Sequence, residues 1–172
     1  MTICSRNRRA VFGKIVDGEM ILNDWGNIVA ECIANIPNHF PDIGIDKSVI
    51  MPNHVHMIVG IRSNYENGSS TACRAPTTEK FGTPVTQSIP TIIRSFKSAV
   101  TKQINIINHT PGQSIWQRNY FEHIIRDERE LNRIRRYIIN NPAKWEYDRE
   151  NRNGIPIDEK KKFWNRFLDE FD

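Results

Sequence analysis

The chain has 172 residues, 38% hydrophobic and 26% charged, a composition that fits one compact domain and excludes a disordered chain. No apolar run is long enough to cross a bilayer, and the N-terminus lacks a signal-peptide pattern, so we expect a soluble protein of the cytoplasm with no membrane partner. The three cysteines are odd in number and lack CxxC spacing, which argues against a disulfide framework or a structural zinc site.

The net charge is +4, and the positive charge is concentrated in residues 89–144. That segment contains ten Lys and Arg against four Asp and Glu. A basic segment within a folded domain is typical of a protein that binds a polyanion, but a solvated helix face has the same composition. Charge alone leaves both interpretations open.

The first part of the chain predicts a hairpin, a helix and a pair of strands. Two apolar-rich runs flank Asp17-Gly18 in KIVDGEMIL, which indicates a tight hairpin turn. Apolar residues recur at helical spacing in NDWGNIVAECIANI and predict a helix. The segments IGIDKSVI and HVHMIV follow as two strands, and Pro52-Asn53 between them predicts an antiparallel turn.

The second of these strands lies in MPNHVHMIV and carries two histidines one residue apart. Because side chains alternate along a strand, His54 and His56 share one face, and Val55 and Met57 share the other. The pattern predicts one face that presents imidazoles and one face that packs on a core.

The second part of the chain predicts a long loop followed by two helices. Residues 62–88 lack periodicity and are rich in small polar residues, Gly and Pro, as in a long loop. An apolar stripe then predicts an amphipathic helix with a basic edge over residues 89–107. An aromatic, strand-like stretch leads into a further helix, which begins at a capping box of Asp127 and Glu130 and ends at Pro142.

One edge of this last helix carries Tyr137, with Arg133 one turn before it and Asn141 one turn after it. Tyr137 lies on the shoulder of the apolar stripe of the helix. A tyrosine that packs its ring and exposes its hydroxyl explains this position without any function.

Two stretches, MPNHVHMIV and WQRNYFEHIIRDERELNRIRRYIINNP, resemble the two signatures of the REP-associated tyrosine transposases, members of the single-tyrosine HUH transposase superfamily. The HxH pair alone is weak evidence, but its combination with Tyr137, Asn141 and Pro142 in that order is specific. CSRNRRAVFG and RSFKSAVTKQIN resemble further family segments, so the resemblance covers residues 1–150. Residues 151–172 are expected to form a C-terminal amphipathic helix that docks on the domain or on a partner subunit.

The resemblance implies an α+β fold: an antiparallel sheet of four or five strands with helices mainly on one face, like the ferredoxin or RRM fold. It implies that His54 and His56 bind a divalent metal, Mg²⁺ or Mn²⁺, with Asn141 as a third ligand and Tyr137 as the nucleophile. Two imidazoles by themselves favour zinc or another softer metal over magnesium, so the metal stays open. Family members usually carry further residues before the first strand, so whether the start at Met1 is truncated stays open.

The implied activity is that of a transposase, which nicks and rejoins single-stranded, hairpin-forming DNA through a 5′-phosphotyrosine intermediate. A nucleoid-associated protein is then expected, as a monomer or a homodimer. The basic residues that we expect to contact DNA are Arg94, Lys97, Lys102, Arg118, Arg126, Arg133 and Arg136. Of these, Arg133 and Arg136 are also candidates for lowering the pKa of Tyr137.

Three aromatic residues, Trp116, Tyr120 and Phe121, are candidates for stacking on unpaired bases. Burial in the core is the alternative for Trp116 and Phe121. His123 matches a family position, and we interpret it as a structural histidine.

Two other functions fit the same residues. A nucleic-acid-binding protein of the same fold, with idle histidines and tyrosine, predicts DNA affinity without a covalent adduct. A metal-dependent hydrolase that uses the HxH pair and a water nucleophile predicts that Tyr137→Phe retains most of the activity.

Overall fold

The computed structural model describes residues 1–62 and 88–169. The predicted loop falls almost wholly between these ranges, and Cys73 also lies outside the described residues. Within the described part of the chain, none of the helices has the length and apolar character needed to span a membrane.

Strands and helices follow one another in groups along the chain. In chain order they are β1 (Thr2–Cys4), β2 (Gly13–Val16), β3 (Glu19–Leu22), α1 (Asp24–Ala34), α2 (Ile36–His39), β4 (Ile43–Met51), β5 (His54–Ile61), α3 (Ile89–Ile107), α4 (Glu128–Asn140) and α5 (Ile157–Asp169). Two short 3₁₀ segments, Arg6–Arg8 and Pro142–Tyr147, connect some of them.

The strands form two antiparallel sheets. A three-stranded sheet has the order β1-β5-β4, and β2 pairs with β3 in a two-stranded sheet. The predicted hairpin turn is present, because Asp17 and Gly18 both have positive φ, 50° and 79°, as a type I′ turn requires. The expected antiparallel α+β architecture is therefore confirmed, with its five strands divided into sheets of three and two.

The predicted aromatic stretch extends the three-stranded sheet beyond β1 without forming a full strand. Thr2 and Phe121 exchange backbone hydrogen bonds of 2.8 and 2.9 Å, and Ser5 forms a second isolated bridge with Trp116. This pairing fixes residues 116–121 along the edge of the sheet, next to the first strand.

The core lies between one face of the sheet and the helices α1 and α3. Val55 and Met57 of β5 are fully buried in it, as the alternation of the strand predicts. The ring of Trp116 packs 5.0 Å from that of Phe12 and 5.6 Å from that of Phe96, measured between centroids. Trp116 therefore belongs to the core, and the expectation that it stacks on bases is wrong.

The opposite face of the sheet is covered by α4, which contacts β4 and β5. The predicted capping box is present at the start of α4, where the Asp127 carboxylate accepts a hydrogen bond from the Glu130 backbone N–H at 2.8 Å. A bidentate ion pair between Arg135 of α4 and Asp46 of β4, with both N–O distances 2.8 Å, ties the helix to the sheet. The helix ends just before Pro142, also as predicted.

Candidate metal and nucleophile site

The two histidines of β5 lie under α4, on the face of the sheet opposite the core. His54 is fully buried and His56 is 7% exposed. Their Nε2 atoms point toward each other and are 2.9 Å apart. The Nδ1 atoms are hydrogen-bonded to Asn53 Oδ1 at 2.7 Å and to Thr2 Oγ1 at 2.9 Å. Both rings are thus held with their Nε2 atoms directed at one shared point.

Tyr137 reaches the same point from α4. Its hydroxyl oxygen lies 3.4 Å from His56 Nε2 and donates a hydrogen bond to Asp148 Oδ2 at 3.0 Å. The ring of Tyr137 meets the ring of His56 edge-on, and Trp164 of α5 packs edge-on against the tyrosine 4.5 Å away between centroids. The tyrosine is therefore held in one orientation by packing on both sides.

Asp148 is a member of the cluster that the sequence did not predict. The 3₁₀ segment Pro142–Tyr147 turns the chain back after α4 and places this carboxylate, fully buried, beneath Tyr137. Its Oδ2 lies 3.8 Å from His54 Nε2 and 3.7 Å from His56 Nε2. The sequence shows only that an acidic residue follows Pro142, where α4 was predicted to end. It does not show where the Asp148 side chain lies, because the irregular 3₁₀ segment before it has no periodic pattern.

Asn141, which the resemblance implies as a third ligand, is fully buried beside the cluster. Its Nδ2 donates a hydrogen bond to Asp148 Oδ2 at 2.8 Å. Its Oδ1 is buried and has no hydrogen-bond partner among the described residues. A buried amide oxygen without a partner is costly, unless a cation or a donor satisfies it in the working protein.

Burial and neighbouring charges shift the pKa values of His54, Asp148 and Tyr137. Burial, reinforced by His56, lowers the pKa of His54 to about 3, so its imidazole is neutral. Burial opposes ionisation of Asp148, but its hydrogen bonds and the nearby histidines outweigh burial and lower the pKa of this carboxyl. Burial, together with the negative charge of Asp148, raises the pKa of Tyr137 above its ordinary value. The tyrosine is thus protonated in this arrangement.

The donor set fits a divalent metal ion. His54, His56 and Asp148 offer three ligand atoms that all lie within 4.8 Å of one another. Ligand bonds of about 2.0–2.2 Å place neighbouring ligand atoms roughly 3 to 4 Å apart, which matches the cluster closely. The unpartnered oxygen of Asn141 is a possible further ligand. Two nitrogens with one or two oxygens form a mixed set, whose imidazoles suit Zn²⁺ or another softer metal better than Mg²⁺, which prefers oxygen ligands.

A groove of about 1150 Å³ opens beside Tyr137 and His56. It is lined partly by apolar residues of β5 and α4 and partly by basic residues, among them Arg8, Arg149 and Lys161. The seven basic residues predicted from the sequence do not line it within the described part of the chain. Arg8, Arg149 and Lys161 were not predicted from the sequence, because they lie outside the basic segment of residues 89–144.

The seven predicted basic residues are spread over other surfaces. Arg94, Lys102, Arg118 and Arg126 are exposed, and Lys97, Arg133 and Arg136 are half-buried. The ammonium of Lys97 donates to the carbonyls of residues 117, 118 and 119 at 2.7, 3.3 and 3.1 Å. Lys97 therefore supports the edge segment in this structure. The Tyr137 hydroxyl contacts His56 and Asp148.

The remaining predicted side chains have separate surroundings. Phe121 is 62% exposed, so the alternative of core burial is wrong for it. Tyr120 is half-buried and packs against the core. His123 forms an ion pair with Glu130 near the start of α4, away from the cluster, which agrees with a structural role.

Comparison with known proteins relates both the sequence and the fold to one group. A protein of Haemophilus influenzae with the name "Putative REP-associated tyrosine transposase" is 30% identical over 126 residues, which are 73% of this chain and 64% of that protein. The solved structure of a REP-associated tyrosine transposase bound to a REP hairpin matches 84% of this chain and 65% of its own, with a TM-score of 0.55 and 21% identity. The chain is similar in sequence and in fold to the REP-associated tyrosine transposases.

Another relative extends the similarity without adding a function. An uncharacterized protein of Haemophilus influenzae is 41% identical over 148 residues, 86% of this chain and 81% of that protein. No protein-family profile matches the chain. The chain spans about two thirds of the REP-associated tyrosine transposases it matches, by sequence and by structure. At 21% identity the solved transposase shows the fold that the two proteins share.

Proposed function

We propose that this relative of the REP-associated tyrosine transposases is a metal-dependent enzyme that nicks and rejoins single-stranded DNA, with Tyr137 as its nucleophile. The observation that carries the proposal is the position of the Tyr137 hydroxyl, 3.0 Å from Asp148 and 3.4 Å from His56 within one cluster of potential metal ligands. A core tyrosine with no function does not require two buried histidines and a buried carboxylate around its hydroxyl.

His54, His56 and Asp148 would hold the divalent cation, and Asn141 Oδ1 is the candidate for a further contact. A bound cation supplies positive charge that neutralises a phosphodiester and offsets the charge of Asp148. Because the charge of Asp148 raises the pKa of Tyr137, this offset favours the phenolate. Asp148 therefore links deprotonation of Tyr137 to binding of the cation. The proposed cation is Mg²⁺ or Mn²⁺, as the resemblance implies.

In the proposed reaction, the Tyr137 oxygen forms a bond to phosphorus, and the bond from phosphorus to the 3′ oxygen breaks. The tyrosine loses its proton, and the departing 3′ oxygen gains one, so the step needs no net proton. The product is a 5′-phosphotyrosine with a free 3′-hydroxyl on the other strand end. Attack of a 3′-hydroxyl on this link reverses the step and joins two ends without a nucleotide cofactor.

The proposed substrate is single-stranded DNA that contains a hairpin, as in the solved transposase of the same fold. The groove beside Tyr137 supports this substrate class, because Arg8, Arg149 and Lys161 would contact phosphates and its apolar wall would contact unpaired bases. Residues 1–150 would form the catalytic domain, in a nucleoid-associated protein.

The decisive experiment is adduct formation on labelled DNA. The protein is incubated with a library of single-stranded hairpins and Mn²⁺ or Mg²⁺, and the products are separated under denaturing conditions. We expect a covalent protein–DNA adduct that peptide mapping places on Tyr137, and its loss in Tyr137→Phe. Tyr147→Phe is the matched control, since Tyr147 follows α4 in the 3₁₀ segment and its ring stacks on Phe163.

The same experiment separates the alternatives. Tight binding of hairpins without an adduct under any metal would indicate a DNA-binding protein that has lost catalysis. Cleavage that persists in Tyr137→Phe without an adduct would indicate a hydrolase with water as the nucleophile. Either result overturns the proposed reaction.

A further inference from the structure

Asn53, the residue before the first histidine, has an amide whose orientation is determined by its surroundings. It is 4% exposed, and its Nδ2 donates to the backbone carbonyls of Glu150 at 2.9 Å and Arg8 at 3.3 Å. Carbonyl oxygens only accept hydrogen bonds, so the nitrogen of the amide must face them. The Oδ1 atom is thereby directed at His54 Nδ1, 2.7 Å away.

This orientation determines where His54 carries its proton. An amide oxygen at 2.7 Å can only accept, so His54 Nδ1 must donate and must be protonated. Because a neutral imidazole has one N–H, Nε2 is left with its lone pair, which points into the cluster. His54 is therefore prepared as a ligand through Nε2 before any cation binds.

His56 has a different partner with different consequences. Thr2 Oγ1, 2.9 Å from His56 Nδ1, is a hydroxyl that can donate or accept. The two Nε2 atoms are 2.9 Å apart, and since His54 Nε2 has no proton, His56 Nε2 must donate to it. Cation binding then requires the His56 proton to move from Nε2 to Nδ1, and the Thr2 hydroxyl can reverse its role to accept it.

We propose that Asn53 is the positioning residue of this site: it locks His54 in the Nδ1–H tautomer, while Thr2 leaves His56 able to change tautomer when a cation binds. The inference rests on the proposed function, because it assigns His54 and His56 as the ligands.

The same amide also connects the two halves of the cluster. Its hydrogen bond to the Glu150 carbonyl holds the segment that carries Asp148, two residues earlier, against the turn that precedes His54. One side chain thus orients a ligand from β5 and restrains a ligand from the segment after α4. Residues that orient metal ligands in this way typically contribute 10- to 100-fold to metal affinity.

The test begins with the tautomers, which need no metal and no DNA. In ¹⁵N-histidine-labelled protein with a chelator, NMR is expected to show the Nδ1–H tautomer for His54 and the Nε2–H tautomer for His56. Addition of Zn²⁺, a diamagnetic probe, is expected to convert His56 to Nδ1–H and leave the proton of His54 in place. A wild-type His54 that carries its proton on Nε2 would overturn the proposal outright.

Two variants separate the two contacts of Asn53. Asn53→Ala is expected to remove the tautomer preference of His54 and to weaken Zn²⁺ binding by 10- to 100-fold. Asn53→Asp keeps an acceptor for His54 Nδ1 and loses the donor to Glu150, so the tautomer should persist while Zn²⁺ binding weakens. Asn38→Ala is the matched control, because Asn38 makes an exposed amide hydrogen bond with Asn35.

Unchanged tautomer and unchanged Zn²⁺ affinity in Asn53→Ala, relative to Asn38→Ala, would also contradict the proposal. If Asn53→Ala does not fold, the wild-type spectrum and Asn53→Asp still decide it. The expected tautomers together with no Tyr137–DNA adduct would overturn the proposed reaction and leave the role of Asn53 intact.

Discussion

The two faces of β5 are almost equally buried, but they are held by different forces. On one face, Val55 and Met57 are fully buried among the apolar side chains of α1 and α3. On the other, His54 is fully buried and His56 nearly so, and each ring nitrogen has a polar neighbour. Apolar contacts stabilise in proportion to buried area, whereas buried polar groups gain little net stability and require directional partners. The core face therefore determines folding, and the histidine face determines what the site can bind.

The largest expected effect is on the histidine face. His56→Ala removes one of the three clustered ligand atoms and the neighbour of the Tyr137 hydroxyl, so metal-dependent adduct formation should fall below detection. The free energy of unfolding should change less than it does for a core substitution. Adduct assays and denaturant unfolding of the same sample check both. Full adduct formation in His56→Ala would contradict the proposed site.

The reverse pattern is expected for Met57→Ala, one residue further on the core face. Deleting a fully buried methionine should lower the free energy of unfolding by about 2–5 kcal/mol, because it removes apolar burial and leaves a cavity. The Mn²⁺ affinity of the folded protein should stay close to that of the wild type. Denaturant unfolding and metal titration provide the two measurements. A loss of Mn²⁺ binding without a loss of stability would show that the two faces are coupled.

The histidine face should also make the protein acid-sensitive. The pKa of His54 is lowered to about 3 in the folded protein, against about 6.5 for an ordinary histidine, so the unfolded chain binds the proton more tightly. The free energy of unfolding should therefore decrease as the pH falls from about 6.5 toward about 3, by an amount on the order of a few kcal/mol.

His54→Gln should flatten that pH dependence, because the substituted side chain has no proton to gain. Denaturant midpoints measured from pH 7 to pH 4 in a chelator would show the difference. His39→Gln is the matched control, since His39 is an exposed histidine in α2. Equal pH dependence in His54→Gln and the wild type would contradict the assignment of a buried, neutral His54.

A smaller effect is expected in the groove that opens from the histidine face. Arg149→Ala should weaken hairpin DNA binding several-fold and reduce the slope of log K against log salt by about 1, as for one lost phosphate contact. Lys102→Ala is the control, because Lys102 is an exposed lysine outside the groove. Binding measured at several salt concentrations checks the prediction. A larger loss in Lys102→Ala would place the DNA on α3 instead.

The smallest effect is expected where α4 is tied to β4. Asp46→Asn removes the charge of the bidentate pair with Arg135 but leaves most of the helix packing in place. Since the pair is partly exposed, the melting temperature should fall only slightly, and the fall should shrink at high salt. Lys47→Ala, an exposed neighbour, is the control. A salt-independent loss would indicate a packing role for Asp46.

Much of the fold was predictable because its signals are local. Asp17-Gly18 specifies its turn through the positive φ angles that the type I′ geometry needs. Asp127 and Glu130 specify a helix start within a single turn, and Pro142 specifies its end. Strand alternation then assigned His54 to one face and Val55 to the other without knowledge of the partners. Each of these patterns involves only a few neighbouring residues, so a single sequence is enough to identify it.

The site was only partly predictable, because its members meet through packing. The sequence indicated His54, His56, Tyr137 and Asn141, and the structure brings them together, while their chemical roles stay predictions. Asp148 was not predicted, because an irregular 3₁₀ segment determines its position. No helical or strand periodicity relates it to the histidines or to Tyr137.

The basic residues show the same limit. Arg8 and Arg149 line the groove from opposite ends of the domain sequence, whereas the seven basic residues that the sequence indicated do not line it within the described part of the chain. The sequence by itself determined the local elements and the two faces of β5, since short-range sterics and alternation decide them. Only the tertiary structure decided which distant side chains converge on Tyr137, because that depends on how α4 and the following turn pack across the sheet.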